Sequence, residues 1–142
     1  MQRLVLVAII AILFVVTRGC ASGTLHDYQW HDRLLLVFAS EENAALKEQA
    51  RLVQADPDGL ADRDMVVIAI IGERAAQFWR GTPHQISPAM VRNEYGVSRD
   101  TPFALRVIGK DGGTKWRSSK PTPLDEIYGI IDAMPMRRAG EH

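Results

Sequence analysis

Five charged residues beside predicted strand and helix ends are the first candidates for chemistry: Arg63, Asp64, Lys110, Asp132 and Arg137. Asp64 and Lys110 flank strand ends, while Asp132 and Arg137 close the last predicted helix. Side chains of opposite charge at such positions can pair into an ion network that holds the C-terminus against a sheet. The same groups could instead form a charged site for a ligand or a partner, and the sequence leaves both interpretations open.

The segment Lys110–Gly113 follows a predicted strand and could bind an anion. It reads Lys-Asp-Gly-Gly, which is a typical turn composition because Asp and Gly tolerate unusual backbone angles. We therefore expect a hairpin turn here, and we keep Lys110 and Asp111 as candidate ligand-binding residues.

Methionines are the candidates for metal binding. Met134 and Met136, with Met90 elsewhere, could supply soft thioether ligands for Cu(I). Met is also a common core residue, and Met134 continues an apolar helix face. We therefore expect no resident metal or cofactor, and a copper-binding protein is an alternative.

Cysteine content restricts the chemistry further. Cys20 is the only cysteine of the chain and lies at the end of an apolar N-terminal segment. A domain that begins after it has no thiol, and therefore no internal disulfide, thiol catalysis or thiolate metal site.

The N-terminal segment predicts export. A run of 13 uncharged residues, Leu4–Val16, has the length of a signal-peptide core and is short for a membrane-spanning helix. Small residues favour cleavage after Ala21, so residues 1–21 are predicted to be a signal peptide and the product periplasmic or secreted. Lipidation of Cys20 and an uncleaved N-terminal anchor are the alternatives. Membrane contact is expected only through this segment.

Length and charge indicate one domain without a nucleic-acid partner. The chain has 142 residues, with 17 basic and 17 acidic side chains. The predicted leader carries two arginines and no acid, so the remaining chain is slightly acidic. It has no basic excess that would attract phosphates. Residues 22–142 are predicted to form a single domain with its own core.

Apolar patterning predicts strands and helices in alternation. Two continuous apolar runs are typical of strands buried on both faces, and two later segments form a hairpin. The predicted strands are Arg33–Ala39, Asp64–Ile71, Phe103–Ile108 and Thr114–Ser118. The predicted helical segments are Glu41–Ala55, Ala75–Arg80, a helix between Ser87 and Gly96, and Leu124–Met134.

Capping residues set the predicted helix boundaries. The predicted N-caps are Ser40, Ser87 and Thr122. Pro88 and Pro123 take first helical positions, where their missing N–H groups do no harm. Met90 and Val91 are predicted to face the core.

These elements follow one another in the order β-α-β-α-β-β-α. This is the thioredoxin-like arrangement, an α/β fold with a mixed sheet and helices on both faces. The last two strands form an antiparallel hairpin at one side of that sheet.

Four segments resemble the signature of a bacterial family of unknown function. They are Ile108–Gly112, Ile131–Arg137, the motif Tyr28-x-Trp30-x-x-Arg33 and Asp62-Arg63-Asp64. The resemblance covers residues 25–138, and this family is similar to the peroxiredoxin-like DUDES domains of some animal extracellular proteins. It implies a thioredoxin-like fold, export and no settled molecular function.

The chain departs from thioredoxin itself at the active-site loop. Where Cys-x-x-Cys would follow the first strand, it has Ser40-Glu41-Glu42-Asn43, and no neighbouring histidine in sequence could activate the serine. Thr101-Pro102 resembles the threonine–cis-proline of these folds, which can present backbone groups to an extended peptide. The resemblance therefore implies a cis bond before Pro102.

The sequence favours an exported, non-catalytic binding module without thiol redox activity. Its expected partner is an envelope protein or peptide. The predicted contact residues are Arg63, Asp64, Thr101, Pro102, Lys110, Asp111 and Arg137. The alternatives are a stress-related enzyme with non-thiol chemistry, by analogy with peroxiredoxins, and a copper-binding envelope protein.

Overall fold

A five-stranded mixed sheet forms the centre of the fold. The computed structural model describes residues 24–140, and its strands are β1 (Arg33–Ala39), β2 (Met65–Ile71), β3 (Gln77–Arg80), β4 (Phe103–Ile108) and β5 (Thr114–Ser118). They lie in the order β3-β2-β1-β4-β5. β1 and β2 are parallel, and the other neighbours are antiparallel. Both continuous apolar runs are thus inner strands, as their sequence predicts.

Helices cover both faces of this sheet. They are α1 (Ala44–Gln54), α2 (Pro57–Asp62), α3 (Pro88–Glu94), α4 (Leu124–Asp132) and α5 (Pro135–Arg138), with a 3₁₀ turn at His26–Tyr28. Alternate side chains of β1 point to opposite faces, so the strand contributes to two cores. One core includes Leu35, Val37, Leu46, Leu60 and Ile127, from β1, α1, α2 and α4. The other includes Leu34, Phe38, Tyr28 and Val91, from β1, the 3₁₀ turn and α3.

The first helix begins later than its sequence predicts. Asn43 is the N-cap of α1, because the Leu46 N–H donates to Asn43 Oδ1 at 2.9 Å. Asn43 has an extended backbone, and its side-chain amide also donates to the Pro102 carbonyl. The prediction of Ser40 as the cap is therefore wrong: residues 40–43 form a loop that Asn43 fixes at its end.

Residues 77–80 form a strand, so the predicted helical segment Ala75–Arg80 is wrong. β3 pairs antiparallel with β2, with Phe78 opposite Ile68. Phe78 packs against one core and Trp79 against the other. That alternation has the period of a strand rather than of a helix, but four residues are too few for the pattern to be recognised in the sequence.

The helix α2 is a further element that the sequence analysis does not predict. Asp56 caps it by accepting a hydrogen bond from the Gly59 N–H at 3.0 Å.

The last helix also differs from its prediction. Thr122 is no cap but is buried, and it exchanges two hydrogen bonds with Gln49 of α1: its N–H donates to Oε1 at 2.8 Å, and Nε2 donates to its carbonyl at 3.2 Å. Pro123 takes the N-cap position instead. α4 ends at Asp132, and Pro135 begins the separate short helix α5.

The capping signals of α3 are confirmed, whereas two expectations near it are wrong. The Met90 N–H donates to Ser87 Oγ, and Pro88 opens the helix. Met90 itself is 48% exposed, because it points away from the face that Val91 buries. Every peptide bond of residues 24–140 is trans, including the one before Pro102. Trans is the intrinsically preferred form, and here the Pro102 carbonyl accepts a hydrogen bond from Asn43.

The predicted signal peptide, with Cys20, lies outside the described residues. Within residues 24–140, none of the helices has the length and hydropathy needed to cross a membrane.

Candidate functional site

The sequence-predicted contact residues lie at two opposite ends of the sheet. Thr101 and Pro102 precede β4, whose start pairs with the C-terminal end of β1. Asp64 precedes β2 and Lys110 follows β4, and both lie at the N-terminal end of β1. β1 has seven residues, so roughly 20 Å separate the two ends. The predicted residues therefore do not form one site.

At the C-terminal end of β1, Asn43 connects the end of the loop 40–43 to Pro102, the residue before β4. Its Oδ1 accepts from the Leu46 N–H, and its Nδ2 donates to the Pro102 carbonyl at 2.8 Å. The carbonyl that follows Thr101 is therefore already engaged within the chain. The loop carries hydroxyl, carboxylate and amide groups but no thiol.

A buried arginine holds the same end of the sheet together, and sequence reasoning missed it. Arg92 of α3 donates to the carbonyls of Ala39, Ile70 and Ser98 at 2.8, 3.2 and 3.1 Å. The first two bonds engage the last carbonyl of β1 and the next-to-last carbonyl of β2. Burial lowers the pKa of the Arg92 guanidinium. Nothing in the periodicity of α3 separates this arginine from an exposed one, because its partners are distant backbone atoms.

At the N-terminal end, two strained residues contact the same lysine. Trp30 and Asp64 have positive φ angles of 69° and 49°, a region that residues other than glycine rarely adopt. The Trp30 N–H donates to the Lys110 carbonyl at 2.6 Å, and Lys110 Nζ donates to Asp64 Oδ2 at 2.8 Å. The Lys110 side chain is almost completely buried. Such strain persists only where the surrounding contacts hold it, and here those contacts converge on Lys110.

The ion network at this end joins two arginines, Arg63 and Arg137, with the carboxylates of Asp62 and Asp132. Arg63 makes two hydrogen bonds to the Asp132 carboxylate, at 3.0 and 2.8 Å, and lies over the Tyr128 ring at 3.9 Å. Arg137 pairs with the carboxylate of Asp62 and lies 3.5 Å from that of Asp132. The hydrogen bonds from Arg63 lower the pKa of Asp132, with smaller contributions from both positive charges. These pairs hold α4 and α5 against the α2–β2 turn, which agrees with the network interpretation, while the ligand interpretation stays a prediction.

The segment after β4 is a turn. Asp111 Oδ1 accepts from the Gly113 N–H at 3.0 Å, and Asp111 Oδ2 accepts from Lys115 Nζ at 2.7 Å. Gly112 has a φ of 83°, which its lack of a Cβ permits. The turn that the sequence predicts for Lys110–Gly113 is thus confirmed. Anion binding by this segment stays a prediction.

Acid–base and metal chemistry have few candidates among the described residues. Burial raises the pKa of Tyr28 to about 12, and its hydroxyl donates to the Thr82 carbonyl at 2.8 Å. Burial, with the nearby Asp64 carboxylate, raises the pKa of Asp32. In the part of the chain that the structure describes, no group of three or more His, Cys, Asp and Glu residues could hold a metal ion. Met134 packs partly buried against the core, and the side chain of Met136 lies outside the described part.

Two residues of the motif Tyr28-x-Trp30-x-x-Arg33 stand out at this end, although the sequence predicts no role for either side chain. Trp30 is 63% exposed, which makes it the more exposed of the two large exposed apolar residues within residues 24–140. Arg33, which opens the apolar run of β1, is 2% exposed. Alternate residues of a strand point to the same face, and Arg33 alternates with the buried Leu35 and Val37. That spacing is the sequence signal that could have predicted the burial of Arg33.

Comparisons with known proteins agree with this fold. A family model described as "Domain of unknown function (DUF4174)" matches residues 24–140. A curated relative, sushi repeat-containing protein SRPX2 of Bos taurus, is 26% identical over 120 residues, which are 82% of this chain and 26% of that protein. The chain thus spans about a quarter of the length of this relative.

A solved structure has the same fold. The reduced 2-Cys peroxiredoxin of Plasmodium vivax matches with a TM-score of 0.55 and 15% identity, over 81% of this chain and 84% of that one. Identity this low indicates fold alone. The predicted thioredoxin-like α/β class and the resemblance to a thioredoxin-like family of unknown function are both confirmed.

Proposed function

Because the chain belongs to the DUF4174 family of domains of unknown function, we propose its function from its own geometry: an exported, non-catalytic module that binds a protein partner. The partner surface is centred on Trp30, beside the turn between β4 and β5. Thiol redox chemistry is not part of this function.

The C-terminal end of β1 supports the non-catalytic part of the proposal. Residues 24–140 contain no cysteine, so neither a disulfide exchange nor a peroxidatic thiol is possible within them. Asn43 uses both of its polar atoms on partners within the chain. A catalytic side chain at this position would need a polar atom that can reach a substrate. Both polar atoms of the Asn43 side chain are instead hydrogen-bonded within the chain.

Trp30 is the observation that carries the binding part. Its indole is mostly exposed to water, although burial of an aromatic side chain is strongly favourable. The backbone beneath it is held by the bond from the Trp30 N–H to the Lys110 carbonyl and by the bond from Gln29 Nε2 to the Asp111 carbonyl at 3.0 Å. Tryptophan is one of the residue types enriched among those that contribute most of the binding energy at protein interfaces.

The experiment compares wild type with two matched variants at exposed apolar residues. Trp30→Ala removes the proposed anchor, and Met90→Ala removes an exposed side chain on α3. Crosslinking in envelope extract and mass spectrometry identify the partner, and calorimetry with the purified partner then measures affinity. We expect Trp30→Ala to weaken binding about tenfold or more and Met90→Ala to leave it unchanged. Equal affinity of all three proteins excludes Trp30 as the anchor.

A third variant tests the other end of the sheet. Thr101 and Pro102 stay a predicted contact for an extended peptide, so Pro102→Ala belongs in the same series. Its backbone carbonyl, which Asn43 binds, is retained. Loss of affinity in Pro102→Ala but not in Trp30→Ala moves the partner surface to the C-terminal end of β1.

Export is tested separately. The apolar run Leu4–Val16 and the small residues up to Ala21 support cleavage and release beyond the inner membrane. Mass spectrometry of the protein from the envelope fraction is expected to give an N-terminus after Ala21. An intact Met1 in the cytosolic fraction contradicts export. A lipidated Cys20 indicates instead an exported protein that is anchored to a membrane.

A further inference from the structure

We propose that the pocket beside Arg33 binds a small monocarboxylate with a short apolar body. The pocket has a volume of about 290 Å³, and its lining includes Arg33, Lys110, Asp111, Lys115, Met134 and Pro135. This ligand site goes beyond the partner surface at Trp30 and does not depend on it.

Arg33 supplies the carboxylate recognition. It is 2% exposed, and its Nη1 donates to the Arg63 carbonyl at 3.0 Å. Within residues 24–140, its Nε and Nη2 have no hydrogen-bond partner. These two nitrogens form one edge of the planar guanidinium, the edge that fits the two oxygens of a carboxylate. A buried arginine with a free edge thus lines the pocket.

The charges around Arg33 leave it as the unpaired cation. Each of four neighbouring cations has a carboxylate beside it: Lys110 with Asp64, Lys115 with Asp111, Arg63 with Asp132, and Arg137 with Asp62. Arg33 makes no such ion pair with any residue of the described part. Burial lowers the pKa of Arg33, although the Asp64 carboxylate partly opposes this effect. Arg33 Nε and Nη2 are not among the fully buried nitrogens that lack a partner, so they keep contact with solvent, and a bound carboxylate takes the place of that solvent.

The rest of the lining sets the size and character of the ligand. Met134 and Pro135 add apolar surface to the lining, which favours a ligand with a hydrocarbon part. Each lysine ammonium has three donors, and the carboxylates of Asp64 and Asp111 use one from each lysine. The volume is at the lower end for small-molecule sites, so a ligand of a few carbon atoms fits best.

The test is an NMR titration of isotopically labelled protein, expressed from the full chain and purified from the envelope fraction. Hexanoate represents a free organic acid, N-acetylleucine a peptide C-terminus, and 1-hexanol an uncharged control. We expect saturable amide shifts at Gly109, Lys110 and Asp111 with a carboxylate and none with 1-hexanol. Tighter binding of hexanoate or of N-acetylleucine identifies the source of the carboxylate. No saturable shift with either carboxylate, or equal binding of 1-hexanol, overturns the proposal.

Three variants assign the site. Arg33→Gln is expected to weaken carboxylate binding about tenfold or more, because it removes charge-assisted hydrogen bonds. Lys115→Glu reverses a charge in the pocket lining and is expected to weaken binding several-fold, whereas Lys47→Glu on α1 lies outside the lining. If Arg33→Gln fails to fold, the comparison of Lys115→Glu with Lys47→Glu decides. Equal affinities in those two variants overturn the assignment.

Discussion

Lys110 donates a hydrogen bond of 2.8 Å from Nζ to Asp64 Oδ2 across 46 positions of the chain. Only 4% of the Lys110 side chain is exposed, whereas 35% of the Asp64 side chain is. The Lys110 carbonyl accepts from the Trp30 N–H at the same time. One lysine thus fixes the end of β4, the start of β2 and the segment before β1.

Replacement of Lys110 by methionine tests this arrangement. Lys110→Met leaves the Asp64 carboxylate partly buried without its cation, so we expect a loss of about 2–3 kcal/mol in the free energy of unfolding. Lys115→Met is the matched control, because its pair with Asp111 is exposed and is worth about 0.5 kcal/mol. Urea denaturation measures both. Equal losses in the two variants contradict a special role for Lys110.

Asn43 should contribute more to stability than Ser40, the residue that the sequence favours as a cap. Asn43→Ala removes the cap of α1 and the bond to the Pro102 carbonyl, so we expect a loss of about 2 kcal/mol. Ser40→Ala is expected to change the free energy of unfolding by less than about 0.5 kcal/mol. Asn43→Asp retains the cap acceptor without the donor to Pro102 and should lie between the two. Denaturant titration of the three variants decides, and a larger effect at Ser40 restores the original prediction.

The sequence predicts the inner part of this fold better than its margins. Apart from Arg33, the strands β1 and β2 are apolar because neighbouring strands and helices cover them, and all of their residues are buried. β3 has one strand partner and four residues, so its pattern is too short to distinguish from a helical turn. The choice between Ser40 and Asn43 as a cap depends on Pro102, a contact over 59 positions that local patterns do not contain.

The candidate site is predictable only in part, for a related reason. Charge placement at element ends correctly indicates that Arg63, Asp132 and Arg137 meet, because those ends converge at one side of the sheet. Arg33 and Arg92 are buried against backbone carbonyls. Because every residue has a carbonyl, the sequence does not reveal which ones will accept these hydrogen bonds. Thr101 lies at the other end of the sheet, and only a family resemblance, not a local pattern, predicts it as a contact residue.

The Arg63–Asp132 pair predicts an acid-dependent loss of stability. The hydrogen bonds from Arg63 lower the pKa of Asp132 below its ordinary value of 3.8, so the folded state favours the ionised carboxylate. The resulting stabilisation is present above that value and is lost as the pH falls through the folded-state pKa. Because the Asp132 side chain is 44% exposed, we expect about 1 kcal/mol or less at pH 7.

Asp132→Asn measures this contribution. The variant should be less stable than wild type at pH 7, and the difference in free energy of unfolding should shrink as the pH falls below about 4. Asp100→Asn is the control, since it removes an exposed carboxylate that makes no ion pair with the described residues. A difference between wild type and Asp132→Asn that stays constant with pH would falsify the linkage.

Trp30 should oppose stability while it supports binding. Its φ of 69° is strained for any residue with a Cβ, and its exposed indole loses little packing when removed. Trp30→Gly is therefore expected to raise the free energy of unfolding by about 1 kcal/mol, whereas Trp30→Ala keeps the strain and should change it by less than about 0.5 kcal/mol. Both variants should lose partner affinity to the same extent, because both lack the indole. A residue that lowers stability and yet is required for binding behaves as a functional one does. If Trp30→Gly instead destabilises the protein, the indole is held in place by packing and the partner surface loses its main support.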